Sequence, residues 1–187
     1  MRLAAILLMA ACSLLMAQSA DVEKAMDSVA RTATIMVDGD LCQRIQTKRS
    51  LGFLLKTDPK DPWLASDNYD VDHESFLRTK KTLMRLARLC PRECDVNLWM
   101  PVLSSPGTIQ VMIRNVYELS SFWKWGDLHQ PMPPEMKTVL ETGQRVTVHS
   151  GRGMLSVLAP VYNSLNEIVG LVEVVSQQNR DQWENVK

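Results

Sequence analysis

The closing third of the chain constrains the fold most. Two apolar runs, Met154 to Tyr162 and Ile168 to Ser176, are separated only by Asn163-Ser164-Leu165-Asn166-Glu167. Apolar runs bounded by a turn of this kind read as neighbouring antiparallel strands. Arg145 to His149 precedes them across the turn Ser150-Gly151-Arg152-Gly153, completing a three-strand meander. Further upstream, Val96, Leu98, Met100 and Val102 alternate with Asn97, Trp99 and Pro101. Ser104-Ser105-Pro106-Gly107 then turns the chain, and Ile109, Val111 and Ile113 alternate with Gln110, Met112 and Arg114. This is a hairpin, and five strands are expected in all.

The remaining segments carry the helical period. Val22, Met26, Val29, Ala33 and Met36 recur at steps of four and three, the apolar face of a long N-terminal helix. Asp38-Gly39-Asp40 weakens it, and Leu41, Ile45 and the Leu51 to Leu55 cluster predict that helix resumes. Thr57 to Pro62 holds two prolines and is expected to be loop. A second helix is signalled by Asp72 as its cap and by Phe76, Leu77, Leu83, Met84, Leu86 and Ala87, and it stops before Pro91. A short third helix, Glu135 to Thr142, has proline before it and Gly143 just past its end. The order predicts an α+β domain with one five-stranded antiparallel sheet, a long N-terminal helix and flanking helices. The 187 residues, 45% hydrophobic, suffice for one core, so residues 21–187 are read as a single domain.

Residues 1–20 have the layout of a secretory signal: Arg2, an apolar run from Leu3 to Met16, then Ala17, Ser19 and Ala20. The run is shorter than the roughly 20 residues that cross a bilayer, so cleavage after Ser19 or Ala20 is expected. The alternative is a lipoprotein box, Met9-Ala10-Ala11-Cys12, that leaves Cys12 as a lipidated terminus. Either reading places the protein outside the cytoplasm, periplasmic or secreted. Without Arg2 the chain carries 20 basic against 21 acidic residues, and this balance argues against nucleic acid as a partner. In an oxidising compartment two of Cys42, Cys90 and Cys94 are expected to pair. Asp95 follows Cys94 where a haem-attachment motif has histidine, and His73, His129 and His149 are too scattered for a metal site. No cofactor or metal is expected.

The run Val139-Leu140-Glu141-Thr142-Gly143-Gln144, the segment Met154 to Asn163 with its Ala159-Pro160-Val161, and Ile168-Val169-Gly170-Leu171-Val172-Glu173-Val174 together resemble the closing half of a Cache domain, an extracytoplasmic PAS-like sensor family. The likeness covers about the last 90 residues and elsewhere only the element order. It implies a sensor that binds a small organic ligand, and one without its own output module is expected to signal through a separate membrane protein. Two residues fit the pattern physically: Pro160 is expected to end the hydrogen bonding of its strand, and Gly170 to allow close approach to a central strand.

Such a fold encloses a pocket between the inner face of the sheet and the hairpin-to-meander segment. The residues placed there are Trp99, Arg114, Tyr117, Trp123, Trp125, Asp127 and Tyr162. Arg114 is suited to a ligand carboxylate and the aromatics to apolar walls, or else the aromatics are core and Arg114 is exposed. Glu173 interrupts an apolar strand on the face of Val169, Leu171 and Val175, where a carboxylate needs a partner or a shifted pKa; it is expected to bind a cationic ligand or pair with an arginine such as Arg114, or else to face solvent. Catalysis is not expected. His149 lies beside Ser150, but Gly151-Arg152-Gly153 has no serine at a nucleophile elbow. The competing reading is an interaction protein with a collapsed pocket that forms a homodimer through its N-terminal helix.

Overall fold

A computed structural model describes residues 20–47, 73–123, 129–151 and 153–177. The signal segment with Cys12, the Leu51 to Leu55 cluster, the Thr57 to Pro62 loop, Asp72, Trp125 and Asp127 lie outside the described residues. The chain forms an α+β fold. Helix α1 covers 20–36, α2 Gly39–Ile45, α3 His73–Ala87 and α4 Pro134–Thr142. The strands are β1 Cys94–Pro101, β2 Thr108–Ile113, β3 His129–Pro131, β4 Val146–His149, β5 Met154–Tyr162 and β6 Ile168–Gln177. They form one antiparallel sheet in the order β3-β2-β1-β6-β5-β4.

Among the described residues the sheet thus has six strands, not five. The extra one, β3, is three residues long and ends on Pro131, so no alternating pattern could announce it. The hairpin and the meander meet where β1 pairs with β6, Asn97 opposite Glu173 and Trp99 opposite Leu171. Both central strands are buried on both sides, so the polar residues that alternate along β1 face protein rather than solvent. Gly170 matters at this junction, because a Cβ there would lie 2.7 Å from the carbonyl oxygen of Trp99.

One sheet face carries α1, α2 and α3. Met26, Val29, Ala30 and Ala33 of α1, Cys42 and Ile45 of α2, and Leu83 and Leu86 of α3 pack onto Val96, Leu98, Val157, Val172 and Val174. Each large apolar side chain so buried stabilises the fold by about 1.5–3 kcal/mol before ordering costs. The helical period fails at the end of α1. Met36 is 59% exposed, and Val37, just past the last turn, enters the core in its place. Asp38 then caps α2 by accepting hydrogen bonds from the backbone N–H groups of Asp40 and Leu41, which is how an Asp-Gly-Asp break becomes a helix start.

The other face carries α4 and the irregular segment that follows β2. Met136 and Val139 of α4 pack on Trp99, Ile109, Val111, Leu158 and Leu171. Gly143 closes α4 in the left-handed conformation, its N–H bonded to the Val139 carbonyl. Pro160 does not end β5, which continues to Tyr162 and pairs with β6 throughout. β4 covers β5 only from Leu155 to Leu158, so one edge of β5 is free at Pro160, a setting that tolerates a residue without an N–H.

Cys90 and Cys94 form a disulfide across the turn between α3 and β1. Cys42 is excluded from the pairing, being a free thiol fully buried between helix and sheet. Among the described residues no helix is long and apolar enough to cross a membrane.

Candidate functional site: a strap held by a buried carboxylate

Residues 114–123 cross the second face without regular structure, and side chains rising from the sheet hold them there. Asp95 accepts hydrogen bonds from the N–H groups of Tyr117 (3.1 Å) and Leu119 (2.8 Å). The Asn97 amide serves both strap directions, accepting from the Asn115 N–H at 3.1 Å and donating to the Leu119 carbonyl at 2.7 Å. Asp95, Asn97 and Trp99 are alternate residues of β1 and point the same way, so strand periodicity itself lines up the tethers.

Glu173 anchors the far end of this strap. It is fully buried, directly opposite Asn97 on one neighbouring strand and Leu158 on the other. One carboxylate oxygen, Oε1, accepts from the Ser121 N–H at 2.7 Å and the Ser156 hydroxyl at 2.8 Å. The other, Oε2, accepts from the Ser120 hydroxyl at 2.6 Å and the Trp99 indole N–H at 3.0 Å. Trp99 and Ser156 lie diagonal to Glu173 in the register, within reach of long side chains on one face. The Ser120 hydroxyl also accepts from the N–H groups of Phe122 and Trp123, so one residue of the strap links the carboxylate to the turn that follows.

Burial pushes the Glu173 carboxyl above its ordinary range, against the hydrogen bonds from Ser120, Ser121, Ser156 and Trp99 that favour the ionised form. Asp95 is raised for the same reason, against the Leu119 and Tyr117 N–H groups and with the nearby Glu118 charge adding to the rise.

The structure gathers five of the eight expected ligand-binding residues around this strap. Trp99 and Glu173 bond directly. Arg114, its side chain 13% exposed, stacks on the Trp123 ring at 4.5 Å and lies 3.6 Å from Glu118. Tyr117 belongs to the strap through its N–H, with its side chain half exposed. Tyr162 lies elsewhere, its hydroxyl under Gly143 at the end of α4. The solvated reading of Glu173 is overturned by its complete burial.

Asp95, Asn97, Ser120, Ser121 and Ser156 escaped the sequence reading. The signal available for three of them was a polar residue in strand phase with Trp99 or Glu173; the strap serines carried none. His149 is remote, facing Glu23 of α1 at 3.6 Å on the surface.

A cleft of about 310 Å³ opens beside the first half of the strap, lined by Asp95, Asn115, Val116 and Tyr117, by the end of α3 and by the Cys90–Cys94 bridge. Asn115 is nearly buried and its side-chain N–H₂ has no hydrogen-bond partner among the described residues. Comparison with known proteins adds no identification: the chain matches no family model, and a search of curated proteins finds no match.

Proposed function

We propose that the chain is an exported, non-catalytic module that binds a small organic molecule beside the strap and reports it through a separate membrane protein, as the resemblance to Cache sensors implies. The observation that carries this reading is the cleft against the strap. Its volume reaches the range of small-molecule sites, and one of its walls is held by side-chain hydrogen bonds that a ligand can exchange for its own. Arg88 and Arg92, which line the cleft, offer a carboxylate ligand bidentate partners, whereas Arg114 stacks on Trp123 outside it. A disulfide at the mouth of the cleft suits an oxidising compartment.

The experiment is a thermal-shift screen of carboxylates, amino acids, amines and purines against wild type, Asn115→Leu and Arg92→Ala, both residues of the cleft lining. A ligand that stabilises wild type and neither variant supports the reading. One that stabilises both variants equally binds elsewhere and overturns it. A second reading, an interaction protein that needs no ligand, is favoured by the satisfaction of Glu173 and Arg114 within the chain. Its mark is no shift from any class together with a concentration-dependent dimer in sedimentation.

A further inference from the structure

The helix face of the sheet carries a charge asymmetry that the overall balance conceals. From Ser75 to Arg92 the chain has six cations, Arg78, Lys80, Lys81, Arg85, Arg88 and Arg92, and no acidic residue, in a protein with 21 of each sign. Arg78, Lys81, Thr82 and Arg85 fall at i, i+3, i+4 and i+7 on α3 and so form one wall. That wall borders a groove of about 410 Å³ whose opposite side is Met36, Val37 and Leu41.

Among the described residues, pairing does little to neutralise it. Arg78 meets Glu74 only at 3.8 Å, with both side chains well exposed, an arrangement of small energetic weight. Asp38 is the one acidic residue lining the groove, and its carboxylate is engaged by the first N–H groups of α2. Among the described residues that line it, three cations against one anion leave a positive potential. The opposite wall is apolar and open to solvent at Met36, which is 59% exposed. Isolated exposed apolar residues are ordinary, but here Met36 faces a row of cations across a concavity.

We propose that this groove binds an organic anion, its phosphate or carboxylate head held by Arg78, Lys81 and Arg85 and its apolar body laid on Met36, Val37 and Leu41. Guanidinium groups favour both anions as bidentate partners, and the lysine adds a point charge. A concave site of this volume suits a discrete molecule better than a flat surface. The groove lies on the sheet face opposite the strap tethers, and the proposal holds whether or not the strap cleft takes a ligand.

The test is calorimetric titration of the purified protein with hexyl phosphate and with hexanoate, below the concentrations at which they aggregate. Saturable 1:1 binding of either is expected, tighter than that of inorganic phosphate, and the pair of alkyl probes identifies the preferred head. Lys81→Glu with Arg85→Glu should weaken it at least about tenfold, the loss of one charge-assisted contact or more, and Met36→Ser should weaken the alkyl probes but not inorganic phosphate. Both charged side chains are exposed, so the melting temperature of the double variant should stay near wild type, and Lys81→Ala with Arg85→Ala gives an intermediate case. Asn115→Leu should leave binding unchanged, separating this site from the strap cleft. Affinity unaltered by charge reversal overturns the proposal. So does adsorption to phosphatidylglycerol vesicles without binding of either soluble probe, which would make the face a membrane surface instead of a site.

Discussion

Replacing Glu173 by glutamine preserves volume and shape but turns one carboxylate oxygen into an amide nitrogen. Each oxygen receives one serine hydroxyl and one short bond from a group that can only donate, the Ser121 N–H on Oε1 and the Trp99 indole N–H on Oε2, and the Asn97 amide N–H reaches Oε2 more weakly at 3.5 Å. A hydroxyl can rotate and accept; the two N–H groups cannot. Whichever way the amide is placed, its nitrogen therefore faces an obligate donor, and one buried N–H is stranded. Such a group costs about 1–3 kcal/mol, so Glu173→Gln should destabilise by about 2 kcal/mol, or roughly 4–8 °C in Tm for a domain of this size. Glu173→Ala strands both donors and should cost about 4 kcal/mol. Urea unfolding measures the global loss, and hydrogen exchange at the Ser121 amide measures the local one. A loss of 2 kcal/mol corresponds to about thirtyfold faster exchange, since 1.4 kcal/mol is tenfold. A glutamine variant within about 0.5 kcal/mol of wild type, with Ser121 equally protected, would refute the claim that this carboxylate holds the strap.

The pH dependence follows from the same group. A carboxyl raised by burial contributes stability that is complete below its unfolded value and is lost as pH rises through its folded one. The stability advantage of wild type over Glu173→Gln should therefore shrink from acid toward neutral pH, and parallel urea midpoints across that range would contradict it; Asp95, raised in the same sense, acts equally in both proteins. Burial, with the Asp38 charge, pushes the Cys42 thiol up to about 12, so Cys42 should resist alkylation in the folded protein and label in urea, while Cys90 and Cys94 label only after reduction. Peptide mass mapping tests this, and labelling of folded Cys42 at the rate of an exposed thiol would count against it. Gly170→Ala puts a methyl group 2.7 Å from the Trp99 carbonyl oxygen and should cost about 1–3 kcal/mol in urea unfolding, whereas Gly151→Ala, with nothing within 4 Å, should change little; equal effects of the two would deny the close approach of β1 and β6.

The bounds of β5 and β6 were legible because long apolar runs between turn residues leave little choice of structure. The hairpin was legible from alternation, but alternation gives only the phase. Asp95 and Asn97 were in phase with Trp99, yet nothing local distinguishes a polar residue facing water from one facing a strap about 20 residues later in sequence. Glu173 stood out because a carboxylate in an apolar strand is costly unless partnered. Its partners did not, because Ser120 and Ser121 sit in an irregular segment where no period applies. The basic wall of α3 was missed for a different reason. Lysines and arginines on the outer side of an amphipathic helix look like an ordinary solvated face, and only the arrival of α1 and α2 beside them makes a groove.

The two margins of the sheet set how copies of this protein meet in solution. On one side lies β3, three residues ending in a proline, and on the other β4, four residues long. Among the described residues both margin strands are short and the proline removes a donor outright, so unpaired edge is confined to the stretches of β2 and β5 that run past them. The long strands that would aggregate if laid bare are the innermost ones. Clumping through these strands should therefore track the unfolded fraction more closely than the total amount of chain.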